Sequence, residues 1–480
     1  MRFALLPNGS AIHFRRPMRD FAPLIVRTIG LLLTATALSF GFASSWFSGL
    51  RPDTLSIILL SVAFTCSIAI GLTRSGIANL IGLFFLTTLV FNLGRPILWL
   101  FLQDDRVYNL NFGITLNTSS SIQSDLLVFW CISIAGFFGG YFLLFGESRK
   151  FAFDLSPRTD ARFRQLFWVS FLVVMLIVPA EMFNKAAIFS EGGYTALYAS
   201  QSSYTFSFLR LADFVLPVLF ALGVFLHRPL YNRLVAIAIG MYVFTGLVVG
   251  QRAAAGAWIM TWIWYVSAVQ GRKINRWLLV GGAILAVIGF QFLEGWRDGR
   301  TVSLTFAQFF IDQGVTFLLP ELTQQFPRLP VHTVLASLLP LGAVYSAFQI
   351  GTAETQSLGN YMSSQLNMQH FEQGFGLGGN FYMEIYYACF ALIPLFSVVC
   401  VAAGLLLRTW EKLAASSRSL FFLLCLGAPS IVFLPRGTIS AVTSAMIYGV
   451  LFLCLIYLVT DLLKFAALEP GTPQNVVQRR

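Results

Sequence analysis

Apolar residues occur along this chain in long runs that short polar stretches separate. The run from Phe21 to Phe40, with Arg27 as its only charge, and the run from Ile447 to Val459 are predominantly apolar over helical lengths. A membrane-spanning helix needs about 20 such residues, whereas a membrane-spanning strand would alternate apolar and polar positions. The pattern therefore predicts a helical membrane bundle rather than a barrel.

Windows of about 18 to 25 apolar residues predict the number and direction of the spans. There are twelve, near residues 22–42, 54–72, 76–101, 124–145, 163–183, 206–226, 233–250, 253–270, 276–294, 379–405, 417–434 and 438–462. Both termini then lie on one side of the membrane. If that side is the cytoplasm, 22 of the 32 Lys and Arg residues lie there, as the positive-inside rule requires.

Composition supports this class of protein. Hydrophobic residues make up 57% of the chain and charged residues 11%, whereas about 25% of a soluble domain is charged. A soluble fold is therefore excluded. The net charge of the chain is +11. In a membrane protein such an excess of Lys and Arg is typical of the cytoplasmic loops. The sequence contains no basic tract that would indicate nucleic-acid binding. All six cysteines fall in apolar segments, so neither disulfides nor a zinc site is expected.

The stretch from Val331 to Phe348 carries no Lys, Arg, Asp or Glu and is long enough to span. A thirteenth span there would place the basic loop around Arg408 outside, against the positive-inside rule. We interpret the stretch as a re-entrant or interfacial element that Pro330 and Pro340 interrupt. The chain is then a single membrane domain, 1–480, with an external cap of 81 residues at 297–377. Such a length is unusual for a simple connection. Shorter external loops are expected at 103–123 and 184–205.

Arginines near the predicted outer ends of the spans are the first candidate chemistry. No span centre carries Lys, Asp or Glu, which weakens an ion-coupled transporter. The planar guanidinium fork suits phosphate, and neighbouring glycines let the backbone approach an anion. Each arginine could instead reach lipid headgroups, but several on the side depleted of positive charge favour a site for a phosphorylated lipid. The candidates are Arg252, Arg436, Arg297, Arg300 and, in Gly94-Arg95-Pro96, Arg95.

A glycine-rich run from Gln373 to Gly379, which includes Gly376 and Gly378, leads into the predicted tenth span. A helix N-terminus after such a run can offer free N–H groups to an anion. Glu384 lies about one turn inside, where its protonation could be tuned. Alternatively, the glycines form a flexible entry and Glu384 complements the helix dipole.

Three further groups are candidates for acid, base or metal chemistry. His332 and His370 lie in the cap and could act as a general base, or be ordinary polar surface. Asp104 and Asp105 could ligate a cation, although a solvated loop is the favoured explanation for a single adjacent pair. Nucleotide-binding, zinc-protease and serine-hydrolase motifs are absent from the sequence. We therefore predict no cofactor and no metal.

Several motifs together resemble the Wzy-type O-antigen polymerases, also called oligosaccharide repeat unit polymerases. They are a tight helix pair joined by Gly250-Gln251-Arg252-Ala253, a large external region that ends in Gly374-Phe375-Gly376-Leu377-Gly378 and Tyr382-Met383-Glu384-Ile385-Tyr386, the run Phe310-Ile311-Asp312-Gln313-Gly314-Val315, and Pro435-Arg436-Gly437 before the final span. The similarity begins at about the third span, which makes the first two spans a candidate addition.

The resemblance implies a metal-independent glycosyltransferase of the GT-C class in the bacterial inner membrane. Its substrates would be undecaprenyl diphosphate-linked repeat units at the periplasmic face, where the growing glycan passes to the non-reducing end of the incoming unit. By this resemblance Arg252 and Arg436 bind the diphosphate, with Arg297 and Arg300 as the next candidates. Glu384 is the first choice for the base toward the acceptor hydroxyl, followed by His370. A flippase and a chain-length regulator are the implied partners.

Three other functions remain open from the sequence. An O-antigen ligase shares this architecture but delivers the glycan to lipid A core. A lipid-linked oligosaccharide flippase or another transporter would line a deep cavity with charge, whereas the charges here cluster at the outer mouth. A metal-dependent GT-C enzyme would use Asp104 and Asp105.

Overall fold

The computed structural model describes the residues to which every structural statement below refers. They are 16–73, 76–103, 105–111, 115–117, 119–146, 157–202, 212–248, 252–275, 277, 281–282, 284–285, 287–289, 291–292, 306–322, 329–341, 357–373 and 376–467. Within them, the strands are β1 (Asn109–Asn111) and β2 (Thr115–Asn117), an antiparallel pair with Leu110 opposite Leu116. This small hairpin lies in the predicted external loop 103–123.

The rest of the architecture is α-helical. In chain order the helices are α1 (Arg16–Phe42), α2 (Ser44–Ser48), α3 (Pro52–Gly71), α4 (Leu80–Thr88), α5 (Gly94–Leu102), α6 (Ser120–Leu143), α7 (Pro157–Ser202), α8 (Ala212–Leu226), α9 (Pro229–Val248), α10 (Arg252–Trp264), α11 (Phe306–Gln313), α12 (Val331–Leu338), α13 (Leu358–Leu366), α14 (Met368–Glu372), α15 (Phe381–Ala388), α16 (Ile393–Ala414), α17 (Arg418–Phe433) and α18 (Ile439–Ala467). Short π-helical or 3-10 segments occur at Gly76–Ala78, Leu89–Leu93, Asp105–Tyr108, Tyr265–Val269, Gly314–Glu321 and Leu434–Arg436.

Nine helices of the described chain are long and apolar enough to cross a membrane. They cover Phe21–Phe42, Pro52–Gly71, Leu80–Leu102, Ser120–Leu143, Asp160–Gly192, Pro229–Leu247, Ile393–Ala414, Arg418–Arg436 and Ile439–Val459. Two shorter apolar helices, Ala212–Leu226 and Ala253–Val269, coincide with two more predicted spans. Nine of the 19 residues of the predicted span 276–294 lie outside the described residues. The structure therefore confirms an all-α polytopic membrane protein, while the count of twelve stays a prediction.

One predicted loop is helical and one predicted span is divided. Helix α7 continues to Ser202 through the stretch expected as an external loop at 184–205. The predicted span 379–405 breaks between α15 and α16, where Phe390 and Ala391 adopt φ of 55° and 57°. Pro394, in the first turn of α16, cannot donate to the carbonyl four residues earlier, so a helix through this point is disfavoured.

The charge-free stretch from Val331 onward also breaks. Helix α12 lies between Pro330 and Pro340, and Leu339 after it is extended, with φ −113° and ψ 155°. Helix α12 therefore ends before Pro340 as predicted, because the residue before a proline is disfavoured in the helical conformation. Residues 342–350 lie outside the described part, so the cap at 297–377 and the non-spanning path of this stretch stay predictions.

Helix α6 is the central element of the first of two hydrophobic cores. It is buried along nearly its whole length and packs against α1 and α16. Gly139 lies against Thr34 of α1, Gly140 against the carbonyl of Val401, and Gly404 of α16 against the carbonyl of Phe137. Helices in lipid associate mainly through such close packing of small residues. The second core contains residues of helices α7, α8, α9 and α10, which pack with α17 and α18.

We expect Gly404→Val to destabilise the protein by about 1–3 kcal/mol, the usual cost of overpacking a well-filled interface. A Cβ at Gly404 would lie 2.8 Å from the backbone nitrogen of Tyr141 and closer still to the Phe137 carbonyl. The measurement is the thermal unfolding midpoint in detergent. Gly240→Val is the matched control, since Gly240 is an exposed helical glycine with open space around it. Equal midpoints for the two variants would contradict this account of the packing.

Candidate functional site

Four breaks in regular helix meet at one end of the bundle. They are the π-helical turn Leu89–Leu93, the 3-10 helix Gly314–Glu321, the segment 376–380, and the 3-10 turn Leu434–Arg436. The π-helical turn comes shortly before Pro96, whose ring would clash with the Asn92 carbonyl in a regular α-helix. The local sequence therefore explains why the third span is irregular at this point.

A buried polar junction, formed by Asn92, Thr316, Asn380 and the carbonyl of Pro435, joins these breaks. Asn92 Oδ1 accepts from Thr316 Oγ1 at 3.0 Å and from Asn380 Nδ2 at 3.3 Å. Asn92 Nδ2 donates to the Pro435 carbonyl at 3.3 Å. All three side chains are at most 1% exposed. Buried polar groups normally have such partners, so the junction ties the breaks together.

The turn at Pro435 carries Arg436, which is half-buried. Arg436 Nη1 donates to Gln313 Oε1 at 2.8 Å, and the guanidinium carbon lies 4.8 Å from the centre of the Phe91 ring. The ring face stabilises the cation and fixes its plane. The guanidinium is thus oriented by the same two elements, Leu89–Leu93 and the residues at 313–316, that form the junction.

The glycine-rich segment lies beside this arginine. A Cβ at Gly378 would be 3.8 Å from Arg436 Nε, and Gly378 has φ of +81°, a conformation that favours glycine. A Cβ at Gly379 would lie 2.7 Å from the Thr438 side chain. Asn380 Oδ1 then caps α15 by accepting from Tyr382 N at 3.0 Å. The structure therefore brings together two predicted features, Arg436 and the segment with Gly376 and Gly378.

Glu384 forms a hydrogen bond on the C-terminal side of the Arg436 turn. Its Oε2 accepts from the backbone N–H of Ile439, the first residue of α18, at 2.7 Å. The residue is 1% exposed, and Oε1 has no hydrogen-bond partner among the described residues. Burial raises the pKa of the Glu384 carboxyl well above its ordinary value, and the Ile439 N–H opposes this in part. This geometry supports a positioning role; the assignment of Glu384 as the base stays a prediction.

Arg95, a secondary candidate for phosphate contact, is occupied by backbone carbonyls. Nε and Nη2 donate to the Ile311 carbonyl at 2.9 and 2.5 Å, and Nη1 donates to Val107 and Asn109 carbonyls at 3.0 and 3.1 Å. The residue is 3% exposed. Arg95 therefore fixes α11 and the 105–111 segment against the end of the third span.

The remaining candidate residues lie away from this cluster or outside the described residues. Arg252 begins α10 but its side chain is not among the described ones, and Arg297 and Arg300 lie outside the described residues. His370 is in the short helix α14, where its backbone N–H donates to Asn367 Oδ1 at 3.0 Å. His332 is the second residue of α12, and its Nε2 is buried without a hydrogen-bond partner in the described part of the chain.

The carboxylate pair offers little support for a metal. Asp105 opens the turn Asp105–Tyr108, while Asp104 lies outside the described residues. Within the described ranges no three His, Cys, Asp or Glu side chains are grouped so that they could hold a metal ion.

Sequence reasoning missed the residues that organise the site, because it searched apolar spans for charges. Asn92 and Asn380 are uncharged, yet an amide inside an apolar run needs buried partners. Thr316 and Gln313 give no sequence signal of this kind. Glu321 is a further omission: it ends the 3-10 helix, is 7% exposed, and burial raises the pKa of its carboxyl to about 7.

The fold and this cluster define the class of protein as a polytopic, all-α membrane protein with a candidate anion site at one end of its bundle. The family model for the O-antigen polysaccharide polymerase Wzy matches residues 28–465, nearly the whole chain, and the chain belongs to that family. No curated protein and no solved structure matches the chain.

Membership of the family sets the broad role. The protein is a glycosyltransferase-like polymerase in O-antigen biosynthesis, embedded in a membrane, with lipid-linked glycan substrates. The match also includes nearly all of the first two spans, so their interpretation as an addition is wrong. The packing of α1 on α6 and α16 explains why they belong to the fold.

We expect Glu384→Gln to keep most of the polymerising activity, because the amide oxygen can still accept from the Ile439 N–H. Glu384→Ala leaves that buried N–H unpaired, which costs about 1–3 kcal/mol, and should lower both stability and activity. The measurement is product length and unfolding midpoint for each purified variant. A folded but inactive Glu384→Gln would instead identify Glu384 as the base.

Glu321 should make stability depend on pH. Its pKa is higher in the folded chain than in the unfolded one, so the fold favours the protonated form. Stability is therefore lost as pH rises from the ordinary range of a glutamate through about 7. We expect Glu321→Gln to unfold at a higher temperature than wild type at pH 8, with the difference shrinking toward pH 5. Glu372→Gln, at an exposed position of the same region, controls for the loss of one charge, and an identical pH profile would contradict the assignment.

Proposed function

We propose that this protein polymerises undecaprenyl diphosphate-linked oligosaccharide repeat units. An acceptor hydroxyl at the non-reducing end of the incoming unit attacks the anomeric carbon of the growing glycan. The bond from that carbon to the diphosphate oxygen breaks, undecaprenyl diphosphate leaves, and the hydroxyl proton passes to a base. The observation that carries the proposal is the oriented Arg436 guanidinium beside the glycine-rich segment, in a chain of the Wzy family.

Charge explains why an arginine is needed at this point. A departing diphosphate gains negative charge in the transition state, and donors that are already oriented stabilise it there. Arg436 is fixed by Gln313 and Phe91, and its side chain lies against Gly378, which has no side chain of its own. We assign diphosphate binding first to Arg436 and Arg252, with Arg297 and Arg300 as further ligands. Cationic side chains would then replace a metal ion, which makes the reaction metal-independent.

We propose that the base that takes the acceptor hydroxyl proton is either Glu384 or His370. The burial of Glu384 and its bond to α18 support a role in holding the turn. His370, on a short helix of the predicted periplasmic cap, is the second candidate, since an imidazole can accept a proton through a ring nitrogen. Arg95, bonded to three carbonyls, is proposed as a positioning residue rather than a phosphate ligand.

The location of the enzyme follows from the same proposal. The distribution of 22 of 32 basic residues on one side supports cytoplasmic termini and a periplasmic site in the inner membrane. Repeat units would have to be delivered by a flippase, and a chain-length regulator would act on the product.

The test is polymerisation by the purified protein in detergent with a synthetic undecaprenyl diphosphate-linked repeat unit, read as a ladder of product lengths. We expect a ladder in the presence of EDTA. Arg436→Ala should reduce the rate about a hundredfold or more, the usual cost of losing an oriented charge-stabilising donor. Arg436→Lys should keep a measurable rate, since it retains the charge but not the planar fork. Arg252→Ala should also lose activity.

Arg51→Ala is the matched control, because Arg51 is an exposed arginine that precedes α3 and has no proposed role. Full activity in folded Arg436→Ala would refute the assigned site. Failure of wild type to form a ladder, with transfer to a lipid A-core acceptor instead, would replace the polymerase by the ligase. A ladder that requires a divalent cation would contradict metal independence.

A further inference from the structure

Asn92 connects the Arg436 turn, the glycine-rich segment and the 3-10 helix Gly314–Glu321, although no charge marks it in the sequence. Its side chain is fully buried in the third span, at the π-helical turn Leu89–Leu93. A π-helical turn inside an α-helix is rare and often occurs at a functional position. The turn shifts the residues after it relative to a regular helix, which makes the placement of this amide a specific feature of the fold.

Each hydrogen bond of Asn92 leads to a different part of the site. Through Asn380, which caps α15, it reaches the glycine-rich segment 376–379. Through the Pro435 carbonyl it reaches the residue directly before Arg436. Through Thr316, whose hydroxyl also donates to the Phe91 carbonyl at 2.9 Å, it reaches the residue whose ring stacks on the Arg436 guanidinium.

A buried amide in an apolar helix is costly unless its polar atoms are paired, so these bonds fix the geometry firmly. Both Oδ1 and Nδ2 of Asn92 have partners. If Asn92 is altered, the glycine-rich segment and the Arg436 turn lose their common support. They would then no longer be held at one spacing.

We propose that Asn92 is a positioning residue, which holds Arg436 and the glycine-rich segment at the spacing required by a bound diphosphate. The inference rests on the proposed function of Arg436 as a diphosphate ligand. It assigns no contact between Asn92 and substrate. Asn92 acts through the orientation of the two groups that do bind.

Asn92→Asp is the main variant. It is nearly isosteric, retains an oxygen for Thr316 and Asn380, and replaces the donor to the Pro435 carbonyl by a second oxygen, which repels that carbonyl. Thr316→Val is the second variant, because it removes the hydroxyl donor without adding a buried charge. Both are measured as kcat/KM for the lipid-linked repeat unit, and as inhibition by inorganic diphosphate, with the full-length protein in detergent.

Thr87→Val provides a matched control. Thr87 lies in the same span and also donates to a carbonyl of the opposing helix α17, that of Val432, at 2.7 Å. Its hydroxyl lies within hydrogen-bond distance of the carbonyls of Leu83, Phe84 and Val432, none of which belongs to the Arg436 turn. A loss that is merely structural would therefore affect Thr87→Val and Thr316→Val alike.

We expect Asn92→Asp and Thr316→Val to lower kcat/KM about tenfold, the size of one lost buried hydrogen bond, and to weaken inhibition by diphosphate in parallel. Thr87→Val should lower the unfolding midpoint but leave kcat/KM unchanged. In an Arg436→Lys background the Asn92→Asp loss should largely disappear, because residues that act through one another are not additive.

The outcomes separate this inference from the proposed function. If Arg436→Ala is fully active, the diphosphate site fails and the role of Asn92 fails with it. If Arg436→Ala is inactive but folded Asn92→Asp keeps wild-type kcat/KM, or its loss is undiminished in Arg436→Lys, only the inference about Asn92 is overturned. If Asn92→Asp does not fold, Thr316→Val decides, and wild-type activity in that variant overturns the inference.

Discussion

In a bilayer, every peptide group that leaves a regular helix must find a partner inside the protein, and this constraint shapes the site described above. The third span, the segment before α15 and the end of α17 all depart from regular α-helix at the same end of the bundle. Irregular backbone at membrane depth is tolerated where protein buries it. The breaks therefore gather around Asn92, whose amide and its neighbours Thr316 and Asn380 supply the partners that water would supply in a soluble protein.

The site also lies where the two hydrophobic cores meet, which explains how it is held. Phe381 and Tyr382 of α15 belong to the core built around α6, whereas Val432 of α17 and Val442 of α18 belong to the other. The Ile439 N–H donates to Glu384, and Asn92 donates to the Pro435 carbonyl, so both bonds connect α15 or the third span to the chain between α17 and α18. Because tight glycine contacts leave α6 little freedom against α1 and α16, these polar bonds set where the Arg436 turn stands relative to the first core.

The sequence predicted the helical class and most spans, because long apolar runs carry that information directly. It also predicted that Arg436 and the glycine-rich segment matter, although they are almost sixty residues apart. It could not show that Asn92 joins them, since an amide in an apolar run has no sign of charge and its partners are more than two hundred residues away. The break at Phe390 and Ala391 was missed for a related reason. Composition there stays apolar, and only the position of Pro394 disfavours a continuous helix.

Arg95 and Arg436 show why residue type alone does not identify a ligand for an anion. Both stand near the ends of spans, beside glycine and proline. The guanidinium of Arg95 is 3% exposed and its nitrogens donate to the carbonyls of Val107, Asn109 and Ile311. Arg436 is half-buried, and its Nη1 donates to the Gln313 side chain at 2.8 Å and, at the longer distance of 3.5 Å, to the Gln313 carbonyl, while its face lies on the Phe91 ring. A flexible side-chain amide can be displaced by a stronger acceptor, whereas backbone carbonyls within a packed bundle cannot. Partial desolvation by the ring also strengthens attraction to an anion, since the effective dielectric constant is lower there than in water. Arg436 therefore has the environment of a ligand for a diphosphate, and Arg95 that of a structural brace.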